Sequence, residues 1–187
     1  MNGDIPVLFV EGRSIAKAWE KSILKTYHKG CDIKTEYDKT EDPPSKDCSM
    51  TIVVQEPLSE PMIHQDMPGG LDTLQEYVLE VLDGIKDHCV RKPGDPDDTK
   101  WEYTYHQRMF AYNVPGIKEV FDQIELIAQK LAKVPYTRRA QAITWKVWED
   151  NSCYDPACLQ SFWCRLLKGD NDYWIMNTNV RFQFHLL

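Results

Sequence analysis

The chain has 187 residues, of which 42% are hydrophobic and 27% charged, as expected for one globular domain with a real core. Its formal net charge of -7 argues against general binding to nucleic acid or to an anionic membrane, because both need a basic surface. No apolar run approaches the roughly 20 residues of a membrane helix. The apolar stretch near the N-terminus follows no basic segment, so we expect a first strand, no export signal and a cytoplasmic protein.

The first half of the chain predicts two strands and two helices. Residues 5–10 and 50–54 are short apolar strands, and residues 14–28 form a helix with Ser14 as its N-cap. Residues 71–88 carry apolar side chains at a spacing of 3.6 residues, which indicates a second helix.

The second half predicts one strongly amphipathic helix over residues 117–133, ended by Pro135, followed by strands. The strands are rich in Trp, Ile, Val and Tyr and cover residues 140–148, 159–167 and 172–180, with the last two joined by a turn at KGDND. The order favours an α+β fold with helices packed on a twisted mixed β-sheet, in a single domain of residues 1–187.

The six cysteines, Cys31, Cys48, Cys89, Cys153, Cys158 and Cys164, indicate reduced thiols in a cytosolic chain more than a disulfide scaffold. The last three have a poor spacing for zinc, even with His106 or His185 as further ligands, so we expect no metal. A zinc protein stays open as an alternative that metal analysis would decide.

The stretch YTRRAQAITWKVWEDNSCYDPAC, residues 136–158, carries the most chemistry. Arg138 and Arg139 are adjacent guanidinium forks of the kind that bind phosphate, or else a solvated pair. Cys158 begins an apolar strand after a proline turn, where nearby cations could make its thiol a nucleophile. The alternative is a small buried hydrophobe, which is the expected role of Cys153 and Cys164.

Residues 101–182 resemble the thymidylate synthase family, in its short archaeal-type branch. The arginine pair stands six residues before Trp145, and a P-x-C sequence ending in Cys158 follows. The helix 117–133 leads into the pair, and YTYHQR (103–108) is similar to an aromatic segment of the family.

The resemblance implies a thymidylate synthase-like fold and synthesis of dTMP from dUMP. Cys158 would add to C6 of the uracil ring, Arg138 and Arg139 would bind the phosphate, and Tyr103 would lie near the C5 proton. The one-carbon donor would be 5,10-methylenetetrahydrofolate or a methanopterin analogue.

Further roles implied by the resemblance are carried by less specific positions. Glu76 and Glu80 are equal candidates for a helix-borne glutamate of the family, and Arg13 is a candidate for an early phosphate-binding arginine. Each is also compatible with a solvated surface position.

The chain departs from the family pattern at two places. Leu159 stands where the family has a histidine, and Gln183 and Phe184 stand where an Arg-Ser pair is expected, with Arg181 as a possible substitute. We therefore expect a C-terminally shortened member. Its assembly is a monomer or a homodimer, and in homodimers of the family the arginine pair enters the neighbouring site.

Two other functions remain open from the sequence. One is a pyrimidine nucleotide hydroxymethylase of the same superfamily, which adds the one-carbon unit and then water. The other is a non-catalytic nucleotide-binding domain that keeps the fold.

Overall fold

The computed structural model describes residues 4–35, 38–92, 99–170 and 174–182. Its contacts divide the chain into two compact units, Met1–Gly70 with Phe184–Leu187, and Leu71–Gln183. Helices and strands both contribute, which confirms the α+β class. Whether residues 1–187 act as a single domain stays a prediction. Within the described ranges, no helix combines the length and the apolar character that crossing a bilayer requires.

The first unit is built on a parallel strand pair with a helical crossover. Strand β1 (Val7–Gly12) pairs with β4 (Ser49–Val54), and helix α1 (Ile15–Lys29) connects them, as a parallel pair requires. Strands β2 (Cys31–Ile33) and β3 (Ser45–Asp47) form a small antiparallel pair.

The predicted cap of α1 is confirmed, because the hydroxyl of Ser14 accepts a hydrogen bond from the Lys17 amide at 3.3 Å. The turn before this cap is tight. A Cβ on Gly12 would lie 2.6 Å from the backbone nitrogen of Ala18, so a larger residue would force strand and helix apart.

The helices of the second unit are shorter than the sequence predicts. Helix α2 (Leu71–Asp83) stops before residue 88 because Gly84 adopts a φ of 66°, and a short 3-10 turn follows at Asp87–Cys89. Helix α3 covers Tyr105–Phe110 and was not predicted.

Helix α4 (Gln123–Lys133) begins six residues later than the predicted start at 117. Asp122 caps it by accepting a hydrogen bond from the Glu125 amide at 2.9 Å. The residues before the cap are extended instead, and strand β6 (Val120–Phe121) pairs with β5 (Tyr112–Asn113).

Three antiparallel strands form the main sheet of this unit: β7 (Gln141–Ile143), β8 (Leu159–Lys168) and β9 (Trp174–Phe182). The predicted strand 140–148 is wrong beyond Ile143, because the chain turns into the short helix α5 (Val147–Asp150). The KGDND turn lies partly outside the described residues.

The core of this unit lies between α4 and the sheet and contains Ile127, Leu131, Ala140, Ala142 and Cys164. Cys164 is therefore the buried small hydrophobe that was predicted. The described strands form four separate small sheets, so the prediction of one mixed sheet is wrong.

A buried ion pair joins α3 to α5. Both Arg108 and Asp150 are 2% exposed, and the two guanidinium nitrogens donate to the two carboxylate oxygens at 2.8 and 3.0 Å. Arg108 also donates to the Thr144 carbonyl at 2.9 Å and contacts Glu149 at 3.2 Å. Its charge is thus neutralised inside the protein.

We expect Asp150→Ala to lower the free energy of unfolding by about 3–5 kcal/mol, because it leaves the Arg108 guanidinium buried without its carboxylate. Glu149→Ala is the matched control. It removes a partner of the same arginine that is 41% exposed, and should cost about 1 kcal/mol or less. Urea unfolding monitored by near-ultraviolet circular dichroism measures both, and equal small losses would contradict the prediction.

Candidate functional site

The second unit contains a cavity of about 650 Å³ between α2, α3 and the loop before β8. Aromatic rings and carboxylates dominate its lining, which consists of Tyr77, Glu80, Arg91, Lys100, Trp101, Glu102, Tyr103, Thr104, Tyr105, Tyr154 and Asp155. Arg91 is paired with Glu102. Such a lining suits a planar heteroaromatic ligand with a few polar groups.

Cys158 lies beside this cavity, immediately before β8. It is exposed, whereas the other five cysteines, all among the described residues, are half-buried or buried. The amide of the next residue, Leu159, bonds the hydroxyl of the cavity-lining Tyr105 at 2.9 Å, so the backbone at Cys158 adjoins the cavity. Partial burial, and then the Asp155 charge, raise the pKa of the Cys158 thiol.

Side chains hold the backbone on both sides of Cys158. The Ala157 amide donates to Asp150 Oδ1 at 3.3 Å, and the Leu159 amide donates to the Tyr105 hydroxyl at 2.9 Å. The Thr144 hydroxyl donates to the Leu159 carbonyl. The buried neighbours are therefore fixed while the thiol itself stays accessible.

Tyr103 has an environment that keeps its phenol neutral. Burial, a hydrogen bond to Tyr105 and the charges of Cys158 and Asp155 all raise its pKa. The Arg108 guanidinium lies 5.3 Å from the centre of the Tyr103 ring, and the Tyr103 hydroxyl donates to the Tyr105 hydroxyl at 3.4 Å. The structure thus brings Tyr103 and Cys158 to one site.

Arg138 and Arg139 do not share that site within one chain. Both are exposed in the segment between α4 and β7. Among the described residues, these two arginines make hydrogen bonds through their backbones alone: the Arg138 carbonyl accepts from Trp163 Nε1 at 3.1 Å, and the Arg139 amide donates to the Thr137 hydroxyl at 3.2 Å. Neither arginine lines the cavity, and neither is among the groups that shift the pKa of Cys158.

The two glutamates of α2 differ. Glu80 lines the cavity, and burial together with the charges of Glu76 and Asp87 raises its pKa against the opposing effect of Lys86. Glu76 is exposed and forms an ion pair with Lys86 at 2.7 Å, which lowers its pKa. Only Glu80 therefore has a position suited to proton chemistry in the cavity.

The remaining candidates lie in the first unit or outside the described side chains. Arg13 belongs to the first unit, where its Nε bonds Glu56 at 2.9 Å. Gln183, Phe184 and His185 lie outside the described residues, and only the backbone of Arg181 is described. The described part of the chain contains no group of three or more His, Cys, Asp or Glu side chains arranged to hold a metal ion.

The sequence did not predict Tyr105 and Asp150, which bond the neighbours of Cys158, nor the cavity residues Tyr77, Trp101, Tyr154 and Asp155. Tyr105 lies within the YTYHQR segment, so its motif was found but its contact with Leu159 was not. Asp150 is an ordinary acidic residue in the sequence WEDN. Its importance depends on burial beside Arg108, and sequence spacing gives no signal for that contact.

The chain is similar to curated archaeal proteins with the name "Putative thymidylate synthase". It is 29% identical to the one from Methanocaldococcus jannaschii over 74% of this chain and 54% of the relative. It is 25% identical to that of Methanosarcina acetivorans over 80% and 60%, and 28% identical to that of Methanopyrus kandleri over 81% and 63%. The chain thus spans about 54 to 63% of the length of these relatives. No family model matches the sequence.

We expect iodoacetamide to label Cys158 before the other cysteines, at a rate that depends on its thiolate fraction. Because the Asp155 charge raises the pKa of the thiol, Asp155→Asn should lower that pKa and move the midpoint of the rate–pH profile to lower pH. Peptide mass spectrometry measures the profile. Asp72→Asn, at the start of α2, is the control, and an unchanged midpoint in the Asp155 variant would refute the assignment.

Proposed function

We propose that this chain is a thymidylate synthase-like enzyme that methylates dUMP at C5 to give dTMP. The observation that carries the proposal is the exposed Cys158, fixed through both neighbouring residues beside a cavity that contains Tyr103 and Glu80. The similarity to archaeal proteins named putative thymidylate synthase supports the same reaction class. We place the reaction in the cytoplasm, where a catalytic thiol remains reduced.

In the proposed reaction the Cys158 thiolate forms a bond to C6 of the uracil ring, and C5 becomes the carbon nucleophile. Glu80, whose pKa is raised, is suited to exchange protons with the pyrimidine, and we propose that Tyr103, whose raised pKa keeps it neutral, faces the C5 proton. Partial burial and then the Asp155 charge raise the pKa of Cys158, so thiolate formation depends on positive charge brought to the site, as from the arginine pair of a partner protomer.

The proposed one-carbon donor is 5,10-methylenetetrahydrofolate or a methanopterin analogue, which supplies both the carbon and the hydride. The aromatic lining of the cavity, including Trp101 and Tyr154, suits the flat ring of either donor. No metal takes part in the proposed reaction.

We further propose a homodimer in which Arg138 and Arg139 of one protomer bind the dUMP phosphate at the site of the other. Arg108 is unsuited to this task because Asp150 and Thr144 already accept its hydrogen bonds and Glu149 forms an ion pair with it at 3.2 Å. The arginine pair is exposed and does not line the cavity of its own chain. A phosphate clamp from a second copy agrees with both observations.

We expect the protein to form a covalent adduct with 5-fluoro-dUMP and 5,10-methylenetetrahydrofolate, because the fluorine blocks loss of the C5 substituent after Cys158 has added. Intact-mass spectrometry detects the adduct. It should be absent from Cys158→Ala and retained by Cys153→Ala, whose half-buried thiol bonds the Asp150 carbonyl at 3.5 Å.

The same experiment separates the alternative functions. Nucleotide binding without an adduct would support a non-catalytic nucleotide-binding domain. A hydroxymethylated product from dCMP or CMP would support the pyrimidine nucleotide hydroxymethylase. If no nucleotide binds, the synthase and the two alternatives are all wrong.

We expect a mixture of two inactive variants, Cys158→Ala and the double variant Arg138→Ala/Arg139→Ala, to recover about one quarter of wild-type adduct formation after subunit exchange. Half of the dimers are then mixed, and each mixed dimer has one site with both an intact thiol and an intact arginine pair from its partner. Adduct yield in the mixture is the measurement. No recovery from an exchanging mixture would contradict a shared site.

A further inference from the structure

Tyr105 lines the cavity beside Cys158, and its hydroxyl is the meeting point of two hydrogen bonds. The Leu159 amide donates to it at 2.9 Å, and the Tyr103 hydroxyl donates to it at 3.4 Å. The phenol oxygen therefore acts as acceptor in both bonds. The O–H of Tyr105 can in addition donate one hydrogen bond.

That proton has no acceptor among the residues that the structure describes. Tyr105 is half-buried and lines the cavity, so its O–H is available to an acceptor on a molecule bound there. The donation from Tyr103 also polarises the Tyr105 hydroxyl and makes its O–H a stronger donor. The hydroxyl is thus suited to a ligand that presents an oxygen acceptor in the cavity.

The neighbouring nucleophile indicates which oxygen this is. Leu159 follows Cys158 directly, so its amide holds the Tyr105 hydroxyl near the reacting sulfur. When a thiolate adds to C6 of a uracil ring, the S–C6 bond forms and the electrons of the C5–C6 double bond shift toward C5 and the C4 carbonyl oxygen. A neutral donor at that oxygen stabilises the developing charge.

We infer that Tyr105 is a further catalytic residue, whose hydroxyl donates a hydrogen bond to the pyrimidine carbonyl oxygen on which charge builds as Cys158 adds. The inference rests on the proposed function. No proton is transferred in this step, so the phenol stays neutral throughout. Tyr105 also supplies a donor next to Leu159, the position at which the resembling family has a histidine.

The test is Tyr105→Phe, assayed by the rate of adduct formation with 5-fluoro-dUMP and 5,10-methylenetetrahydrofolate. We expect the rate at saturating nucleotide to fall about a hundredfold, the usual effect of removing one donor to a developing oxyanion. The nucleotide concentration at half-saturation should change much less. Tyr27→Phe on α1, which removes an exposed hydroxyl, should react like the wild type.

Alkylation of Cys158 by iodoacetamide separates catalysis from positioning, because that reaction develops no charge on a pyrimidine ring. It should stay within about threefold of the wild-type rate in Tyr105→Phe, as expected for a thiol whose Ala157 and Leu159 neighbours keep their bonds to Asp150 and Thr144. If alkylation falls as much as adduct formation does, Tyr105 acts only by holding the nucleophile and the inference is overturned.

Fluorotyrosine at position 105 provides a second variant that keeps the hydroxyl. Its O–H is more acidic, so a donor role predicts adduct formation at least as fast as in the wild type while the phenol remains protonated. An anchoring role predicts slower reaction, because the oxygen is a weaker acceptor for the Leu159 amide.

The remaining outcomes distinguish the two proposals. Equal adduct rates in wild type and Tyr105→Phe overturn only the role of Tyr105. Absence of any adduct in the wild type overturns the proposed function and this inference together.

Discussion

The carboxylate of Asp150 receives hydrogen bonds from three separate parts of the second unit. Arg108 donates to it from α3, the Lys146 amide donates at 2.6 Å from the start of α5, and the Ala157 amide donates at 3.3 Å from the loop before β8. A buried charge pair is stable only when its remaining hydrogen-bonding groups are satisfied. The loop after Asp150 therefore folds back so that the Ala157 amide reaches this carboxylate, and Cys158 consequently lies just before β8.

Helix α3 and the residues just before it position the tyrosines of the cavity and the buried Arg108. Thr104 caps it by accepting from the Gln107 amide at 3.2 Å, and its hydroxyl donates to Asp87, which also bonds His106 at 2.7 Å. These contacts fix the N-terminal end of the helix. Tyr103 and Tyr105 consequently lie at the cavity, while Arg108, one turn further on, points into the interior.

The charged side chains of the second unit fall into two groups, those paired in the interior and those that line the cavity. Arg108 is paired with Asp150 in the interior, whereas the carboxylates of Glu80, Glu102 and Asp155 line the cavity. This environment keeps the Cys158 thiol protonated, because partial burial and Asp155 both raise its pKa. The cavity lining also contains two cations, Arg91, which is paired with Glu102, and Lys100. In the dimer that we propose, the arginine pair of a second protomer adds further positive charge for an anionic ligand.

Patterns that depend on near neighbours in the sequence could be predicted well. The cap at Ser14, strand β8 and the buried position of Cys164 follow from local side-chain chemistry and alternation. The errors lie where a distant contact or a local cap competes with periodicity. Residues 117–121 have helical spacing, yet Asp122 caps the helix later and β6 pairs with β5.

The sequence by itself determined which residues carry reactive groups: a thiol after a proline turn, an adjacent arginine pair and a tyrosine-rich segment before α3. It also determined the α+β class through its periodicities. Only the tertiary structure decided that Tyr103 and Glu80 share a cavity beside Cys158 and that Glu76 and the arginine pair do not line it. It also decided that Asp150 and Tyr105 bond the amides of Ala157 and Leu159, on either side of Cys158. The physical reason is that burial and hydrogen-bond geometry depend on segments far apart in the chain, as between Tyr105 and Leu159, and no local spacing encodes their approach.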